Sequence, residues 1–495
     1  MLLFKSLEDA ITRHLEKEAF YIKNRFHTYH DLAKKISCIR ECIITLDEPE
    51  KNIGVVENDD IETYAAIIAI WFEGKSFVAL SPNMPKERNE EIIKQSGIKI
   101  IIDSSEISFY KECFIINSKK HSSASICLSP TNVPDEDNAY IIFTSGSTGI
   151  PKGVPITRNN LSAFVSSFYK LGLNIDENDK WLQMFDLTFD LSIFSYLIPL
   201  LHGACVYTIP KEKIKFSYVF ELLEEHKLTV ALMIPSIIVY LRPYFDEINC
   251  AHLKYNLFCG EALPLDILSE WSHCIPNAKI MNVYGPSEAT IFCTHYSFHQ
   301  GLENKSYNGI VSIGKAMLGT EAIVINEDNN LAEQNEIGEL CLSGMQLTHG
   351  YLNDDNKNNE SFFIGTYYEA KQRFYKTGDH CYIDAEGDIM FIGRMDSQIK
   401  VQGYRIELSE VEFHVKAHLK KMNAAAIAFK NASNNQEIGV IIESEEFDTT
   451  SLINYLNSKI PPYMMPSIVK FEKIFPYNNN GKIDKKELLK RFHQP

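Results

Sequence analysis

The segment Tyr140-Ile141-Ile142-Phe143-Thr144-Ser145-Gly146-Ser147-Thr148-Gly149-Ile150-Pro151-Lys152-Gly153 runs from a short apolar stretch into a loop of hydroxyls, glycines and one lysine. That chemistry suits a polyphosphate. Glycines let backbone N–H groups approach the oxygens, Ser and Thr hydroxyls add donors, and Lys152 supplies a point charge. It is not a Walker A loop: Pro151 stands where the glycine before the lysine belongs, and Gly153 replaces the magnesium-binding hydroxyl. A second constellation is Asn282-Val283-Tyr284-Gly285-Pro286-Ser287-Glu288-Ala289-Thr290. Tyr284 offers a flat face to a purine, Gly285-Pro286 favours a turn, and Glu288 offers a carboxylate to a cation. Magnesium takes one or two carboxylates together with substrate phosphates, which makes Glu288 a reasonable ligand.

These loops need a scaffold. Up to about Arg394 the chain alternates strand-like runs with helical patterns, which predicts α/β architecture. Ile53–Val56 and Phe77–Leu80 read as buried strands, with a covering helix around Ala65–Ile70 between them. Ile98–Ile102 reads as a further strand, and the Asn/Asp-rich run Asn353–Asn359 as an exposed loop. The stronger border lies at Arg394-Met395-Asp396-Ser397. The reading is therefore a large N-terminal domain, 1–395, and a small α+β C-terminal domain, 396–495, of about 100 residues. The small domain shows a helical pattern near Leu408–Leu419 and strand-like runs at Ala424–Phe429 and Gly439–Ile442.

Composition narrows the class. A chain of 495 residues exceeds one ordinary core. At 45% hydrophobic and 23% charged, it reads as neither disordered nor membrane-embedded. A net charge of -16 disfavours nucleic acid and anionic membranes as partners. The eleven cysteines include no C-x-x-C pair and read as reduced thiols. Glu8 and Asp9 interrupt any signal-peptide pattern, and Leu7, Ile11 and Leu15 recur at helical spacing. No apolar run reaches the roughly 20 residues of a spanning helix. A cytoplasmic location is expected.

The string T-S-G-S-T-G-x-P-K-G at 144–153 resembles the phosphate loop of the adenylate-forming superfamily, which includes acyl-CoA ligases, luciferases and peptide-synthetase adenylation domains. The resemblance implies ATP and Mg2+ as cofactors. Thr144, Ser145, Gly146, Ser147, Thr148, Gly149 and Lys152 would cradle the phosphates, and Gly260, Glu261, Ala262, Asn282 and Gly285 would join Tyr284 around the nucleotide. Tyr284 would stack on adenine and Glu288 would hold the metal. Thr377-Gly378-Asp379 is similar to the family motif whose aspartate receives the ribose hydroxyls, with Arg394 assisting. Lys482, in Asn480-Gly481-Lys482-Ile483-Asp484, matches the catalytic lysine that reaches the substrate carboxylate and α-phosphate. Asp396 matches the hinge about which the small domain turns between two half-reactions, after which the Gly403 segment would line a thiol channel. Gln402 departs from the basic residue that many members carry there.

Phe189-Asp190-Leu191-Ser192 carries the substrate signal. In amino-acid-activating members the aspartate matching Asp190 pairs with the α-ammonium, and acyl-CoA ligases usually lack it. The rest of the implied pocket is Leu191, Phe194, Leu257, Cys259, Val283, Ile291 and Phe292, none of them charged, so the bound side chain should be small or apolar. Leu257–Pro264 is similar to the D-alanine–carrier protein ligases, and that likeness runs along nearly the whole chain. Phe194 and Phe292 are bulkier than those ligases usually carry, which keeps L-alanine and proline open beside D-alanine. With the chain ending at Pro495, the expected acceptor is a separate phosphopantetheine-bearing carrier protein or coenzyme A. An acyl-CoA ligase, against which Asp190 argues, and a non-enzymatic nucleotide-binding module are the competing readings.

Overall fold

The computed structural model describes residues 2–46, 48–120, 125–146, 149–367, 370–395, 398–420, 422–432, 435–476 and 483–492. It is an α/β fold with a large N-terminal part and a smaller α+β C-terminal part, and it divides into two compact units. The larger comprises 1–81, 93–143 and 153–395; the smaller gathers 82–92, 144–152 and 396–495. Elements used below are helix α1 (Asp190–His202), strands β1 (Tyr255–Phe258), β2 (Lys279–Tyr284), β3 (Ala370–Ile383) and β4 (Ile389–Arg394), and helix α2 (Leu408–Leu419).

Among the described residues, three sheets of five or more strands build the larger unit, beside a two-stranded ribbon of Ser306–Tyr307 and Ile310–Val311. One has six strands, in the order Phe114–Asn117, Ile100–Asp103, Asn52–Val56, Ser76–Leu80, Asn138–Thr144, Lys152–Thr157, with the first five parallel. A second has nine, in which β2, β1, Val230–Met233, Lys180–Gln183, Cys205–Thr208 and Glu18–Ile22 run parallel between antiparallel edges. Strands covered on both faces read as unbroken apolar runs, as in Ser76–Leu80, where every residue is buried. The third sheet is antiparallel and joins Thr320–Ile325, Gly338–Gly344, β3, Phe362–Tyr367 and β4.

The helix expected between the strands at 53–56 and 77–80 spans Ile61–Phe72 and is buried at every position. Asp60 caps it by accepting the Thr63 N–H. The N-terminal segment forms a helix over Leu2–Arg13 that buries Leu3, Phe4, Leu7, Ala10 and Ile11. Helix α1 is buried at every position from Asp190 to Leu200 and ends at Gly203, whose φ of 75° closes the last turn. One expectation fails. The Asn/Asp-rich run contains a short helix, Asp355–Ser361, because the Asp354 carboxylate accepts the Lys357 N–H and offsets the poor intrinsic propensity of the run.

In the smaller unit, Gln398–Val401 pairs with Tyr404–Glu407 across the two-residue turn Gln402-Gly403. Both turn residues have positive φ, the backbone that a twisted hairpin of this length demands. Helix α2 follows and buries Leu408, Val411 and Val415, spaced along one face. It packs on a three-stranded sheet of Ala424–Lys430, Gln436–Glu443 and Ile468–Glu472. No helix among the described residues is long and apolar enough to cross a membrane.

Candidate active site

Strands β1 and β2 are parallel neighbours, with Phe258 opposite Asn282, so the residues after their carboxyl ends emerge side by side. Ligands of open α/β sheets collect at such ends. Gly260, Glu261 and Ala262 leave β1 there, with Ala262 exposed and the Glu261 carboxylate accepting the Ser236 N–H at 2.8 Å. Asn282 is buried, and its side-chain amide donates to the Ser312 carbonyl at 2.9 Å, anchoring the neighbouring backbone. After Tyr284 the chain folds back on itself, and the Cys293 N–H donates to the Tyr284 carbonyl at 2.8 Å. A Cβ on Gly285 would lie 2.4 Å from the Phe292 Cα, so only glycine fits beneath this returning strand.

The Tyr284 hydroxyl donates to one Asp379 oxygen, and Arg394 Nη1 donates to the other at 2.8 Å. Asp379 and Arg394 stand opposite each other on β3 and β4. Gly378 makes this possible: at φ 71° its absent Cβ leaves room for the Arg394 guanidinium, which would lie 2.6 Å from it. Each carboxylate oxygen still has a second lone-pair direction, the requirement for receiving a diol. Burial, with Asp379 adding to it, pushes the Tyr284 phenol well above its ordinary value, so the hydroxyl stays a donor.

Glu288 is 1% exposed and accepts the Tyr351 hydroxyl at 2.6 Å. The Tyr351 and Tyr375 hydroxyls lie 3.3 Å apart. Among the described residues no group of three or more His, Cys, Asp or Glu side chains forms a self-sufficient metal cage. A single carboxylate fits magnesium only when substrate oxygens complete the shell, and Glu288 has that character.

Asp190 is the first residue of α1, at the helix's positive end, where a negative charge is favoured. Phe189 is the N-cap and makes no side-chain cap bond. The carboxylate is 5% exposed, and its Oδ2 has no hydrogen-bond partner. Burial pushes its pKa up to about 6, with Glu288 adding to the rise, while hydrogen bonds from the Ser287 side chain and the Ile291 backbone oppose it. The structure brings Leu191, Phe194, Leu257, Cys259, Val283, Ile291 and Phe292 into one buried cluster. Phe194 and Phe292 meet edge to face at 5.2 Å, and Phe164 lies 4.9 Å from Phe292. Phe168 and Trp181 close in on Phe194 at 5.0 and 5.4 Å. Thr290 and Ile291 have φ of 55° and 71°, which β-branched residues adopt at a cost of about 1–3 kcal/mol each.

The glycine-rich loop belongs to the smaller unit. Thr144 ends one strand and Lys152 begins the next, with Lys152 Nζ 3.8 Å from a Glu407 oxygen. Ser145 donates to the Arg405 carbonyl at 2.8 Å and accepts the Glu407 N–H at 3.2 Å. The Gly146 N–H donates to Glu410 at 3.2 Å, and Arg88 grips the other Glu410 oxygen at 2.6 Å. Glu410 is wholly buried there. Gly149, at φ 79°, packs so closely on Phe413 that a Cβ would lie 2.8 Å from its ring. Ser147, Thr148, Asp396 and Lys482 lie outside the described residues.

Sequence reasoning passed over Glu57, Gln346, Glu410 and Arg88, since none of them belongs to a motif that residue type and order reveal. Glu57 supports Asp190 indirectly: its carboxylate accepts the Leu187 N–H at 3.1 Å, just before α1, and Lys211 donates to its carbonyl at 2.5 Å. Burial and Asp186 push its pKa up to about 7 against the pull of Lys211. A carboxyl raised in the fold binds protons there that the unfolded chain has released. Its contribution is present below the unfolded value and lost as pH rises through about 7. Glu57→Gln is therefore expected to stabilise the chain at pH 8 by about 1–3 kcal/mol, the gain fading toward pH 4. Melting temperatures across that range test this; a gain that does not depend on pH contradicts it.

A strand-end turn bearing Tyr284 and Glu288, a buried tyrosine–aspartate–arginine set and a hydroxyl–glycine loop are the features of an adenylate-forming enzyme. The sequence profile of the AMP-binding enzyme family matches residues 7–352, and the chain belongs to that family. It is 28% identical to tyrocidine synthase 1 of Brevibacillus parabrevis over 96% of its own length, but spans only 43% of that protein. It is 31% identical to a D-alanine--D-alanyl carrier protein ligase of Bacillus licheniformis, covering 84% of each chain. Among solved structures, the Vibrio cholerae adenylation domain AlmE, in complex with glycyl-adenosine-5'-phosphate, aligns over 99% of this chain and 97% of its own. The TM-score is 0.85 at 23% identity, a likeness of fold.

Proposed function

We propose that this chain activates a small amino acid with ATP, D-alanine being favoured, and passes the aminoacyl group to the phosphopantetheine thiol of a separate carrier protein. The observation that carries this reading is Asp190, a buried carboxylate with an unpartnered oxygen at the head of a helix that enters an uncharged apolar cluster. An α-ammonium supplies the partner that such a group requires. A fatty or aryl acid would leave it unpaired, which weighs against an acyl-CoA ligase.

In the first half-reaction the amino acid carboxylate attacks the α-phosphorus of ATP, and the bond to the bridging oxygen breaks to release pyrophosphate. Asp379 and Arg394 hold the ribose, and Tyr284 lies against the base. The loop of Thr144, Ser145, Gly146 and Lys152 receives the phosphates. Glu288 is the carboxylate that would hold magnesium, whose chemistry is to neutralise phosphate charge. Lys482 brings a cation to the charge that develops between two anions. In the second half-reaction the carrier thiol, losing its proton, attacks the carbonyl carbon, and AMP leaves. The segment from Asp396 onward acts as the mobile domain that separates the two steps.

Pyrophosphate exchange across a panel of both alanine enantiomers, glycine, proline and simple carboxylic acids tests the reading. Exchange with an amino acid supports it; exchange only with acids lacking the ammonium overturns it. The packed pair of Phe194 and Phe292 favours glycine as a second reading, in line with the glycyl adenylate bound to AlmE. Phe292→Ala should then shift preference toward a larger apolar side chain. One extra methylene is worth about 1–3 kcal/mol of discrimination, and the lost ring costs about 3–5 kcal/mol of stability. An unchanged preference series in the folded variant would remove Phe292 from the pocket.

A further inference from the structure

We infer that Gln346 is a positioning residue for amino acid recognition, its side-chain amide holding the strained turn that carries Ile291 and Phe292. The inference rests on the amino acid reading above. Gln346 is 2% exposed and lies on the segment after the strand Gly338–Gly344. Its Nε2 is 3.2 Å from the Ala289 carbonyl, 3.3 Å from that of Thr290 and 3.0 Å from that of Phe292. A primary amide has two N–H donors, so three carbonyls share them. The Thr290 hydroxyl donates back to the Gln346 carbonyl at 2.5 Å. One residue thus fastens both ends and the middle of the turn in which Thr290 and Ile291 take positive φ.

That turn is where the site's parts meet. Glu288 precedes it, the Ile291 backbone acts on the Asp190 carboxylate, and Phe292 ends it against Phe194. Gln346 is itself held from the far side. Asn160 donates to the carbonyls of its two neighbours, Met345 at 2.8 Å and Leu347 at 3.1 Å. Asn160 stands on the helix Arg158–Tyr169, which also supplies Phe164 and Phe168 to the aromatic cluster. The clamp and the aromatic cluster therefore share one support. Without the amide, the turn is free to relax toward ordinary backbone and carry Ile291 and Phe292 with it.

The test compares the parent with Gln346→Met, which keeps the volume and removes the donors, and with Gln346→Asn, which keeps an amide drawn back by one methylene. Pyrophosphate exchange yields KM for the amino acid and for ATP separately, and the ratio of kcat/KM between the preferred amino acid and its next larger homologue. The expected result for Gln346→Met is a rise of roughly tenfold in amino acid KM and a comparable loss of discrimination, with ATP KM within about twofold of the parent. Gln346→Asn should fall between the two, and it carries the test alone if Gln346→Met does not fold. Unchanged amino acid KM and discrimination, or equal changes in both KM values, would overturn the inference. Parent protein that exchanges with no amino acid defeats the underlying reading, and this inference with it.

Discussion

Asp190→Asn should reduce kcat/KM for amino-acid-dependent pyrophosphate exchange by about 10²–10³-fold while raising the melting temperature at pH 8. The two effects have one origin. In the fold the Asp190 carboxylate is buried with one oxygen unpartnered, and burial has pushed its pKa up to about 6. At pH 8 the fold therefore carries an ionised group that it solvates poorly, and the neutral amide relieves that cost. With substrate bound the balance reverses, because the α-ammonium then enters a site without its counter-charge. Breaking a buried pair from one side costs about 3–5 kcal/mol, and every 1.36 kcal/mol is a factor of ten. A purely structural aspartate would lose stability and keep its kinetics. Unchanged KM and kcat in the variant would refute the ammonium assignment.

Lys482→Ala should cut adenylate formation by about 10²–10³-fold while leaving ATP affinity within a few-fold of the parent. The reaction drives a carboxylate onto a phosphorus already surrounded by negative oxygens. A cation aimed at the charge developing between them acts in the transition state more than in the ground state. Losing one such contact costs about 2.7–4 kcal/mol, or 10²–10³-fold in kcat. Exchange kinetics and nucleotide titration on one preparation separate the two quantities. Normal exchange would show that the lysine matched by the Asn480–Asp484 string has another task.

Much of this was legible in the chain, for a physical reason. The loop at 144–153 and the turn at 284–288 are local strings, so residue types and order are enough to nominate them as candidates. Asp190 stood out through the resemblance to amino-acid-activating enzymes, since an Asp at the head of an apolar run is otherwise an ordinary helix start, and α1 is buried along nearly all its length. Gln346 was invisible because its three acceptors lie 54 to 57 positions earlier in the chain. Glu57 was hidden in the same way, supporting a backbone 130 residues away. The helix at Asp355–Ser361 was missed because composition pointed to a loop, while a single capping carboxylate decided the outcome. Phe194 and Phe292 were named from the sequence, but that they lock together with Phe164, Phe168 and Trp181 required the fold.

The Gly146 amide has one hydrogen to give, and here the recipient is Glu410. Any phosphate oxygen seeking that hydrogen must first evict a carboxylate already braced by Arg88. Two anions cannot share the donor without strong repulsion. On the proposed reading, in which this loop receives phosphate, nucleotide titrations will report a net quantity, the intrinsic attraction of the loop minus the work of prising Glu410 away. Weak apparent binding would not mean a poor loop. Deleting the Glu410 charge would be expected to tighten it, as removal of a resident competitor does.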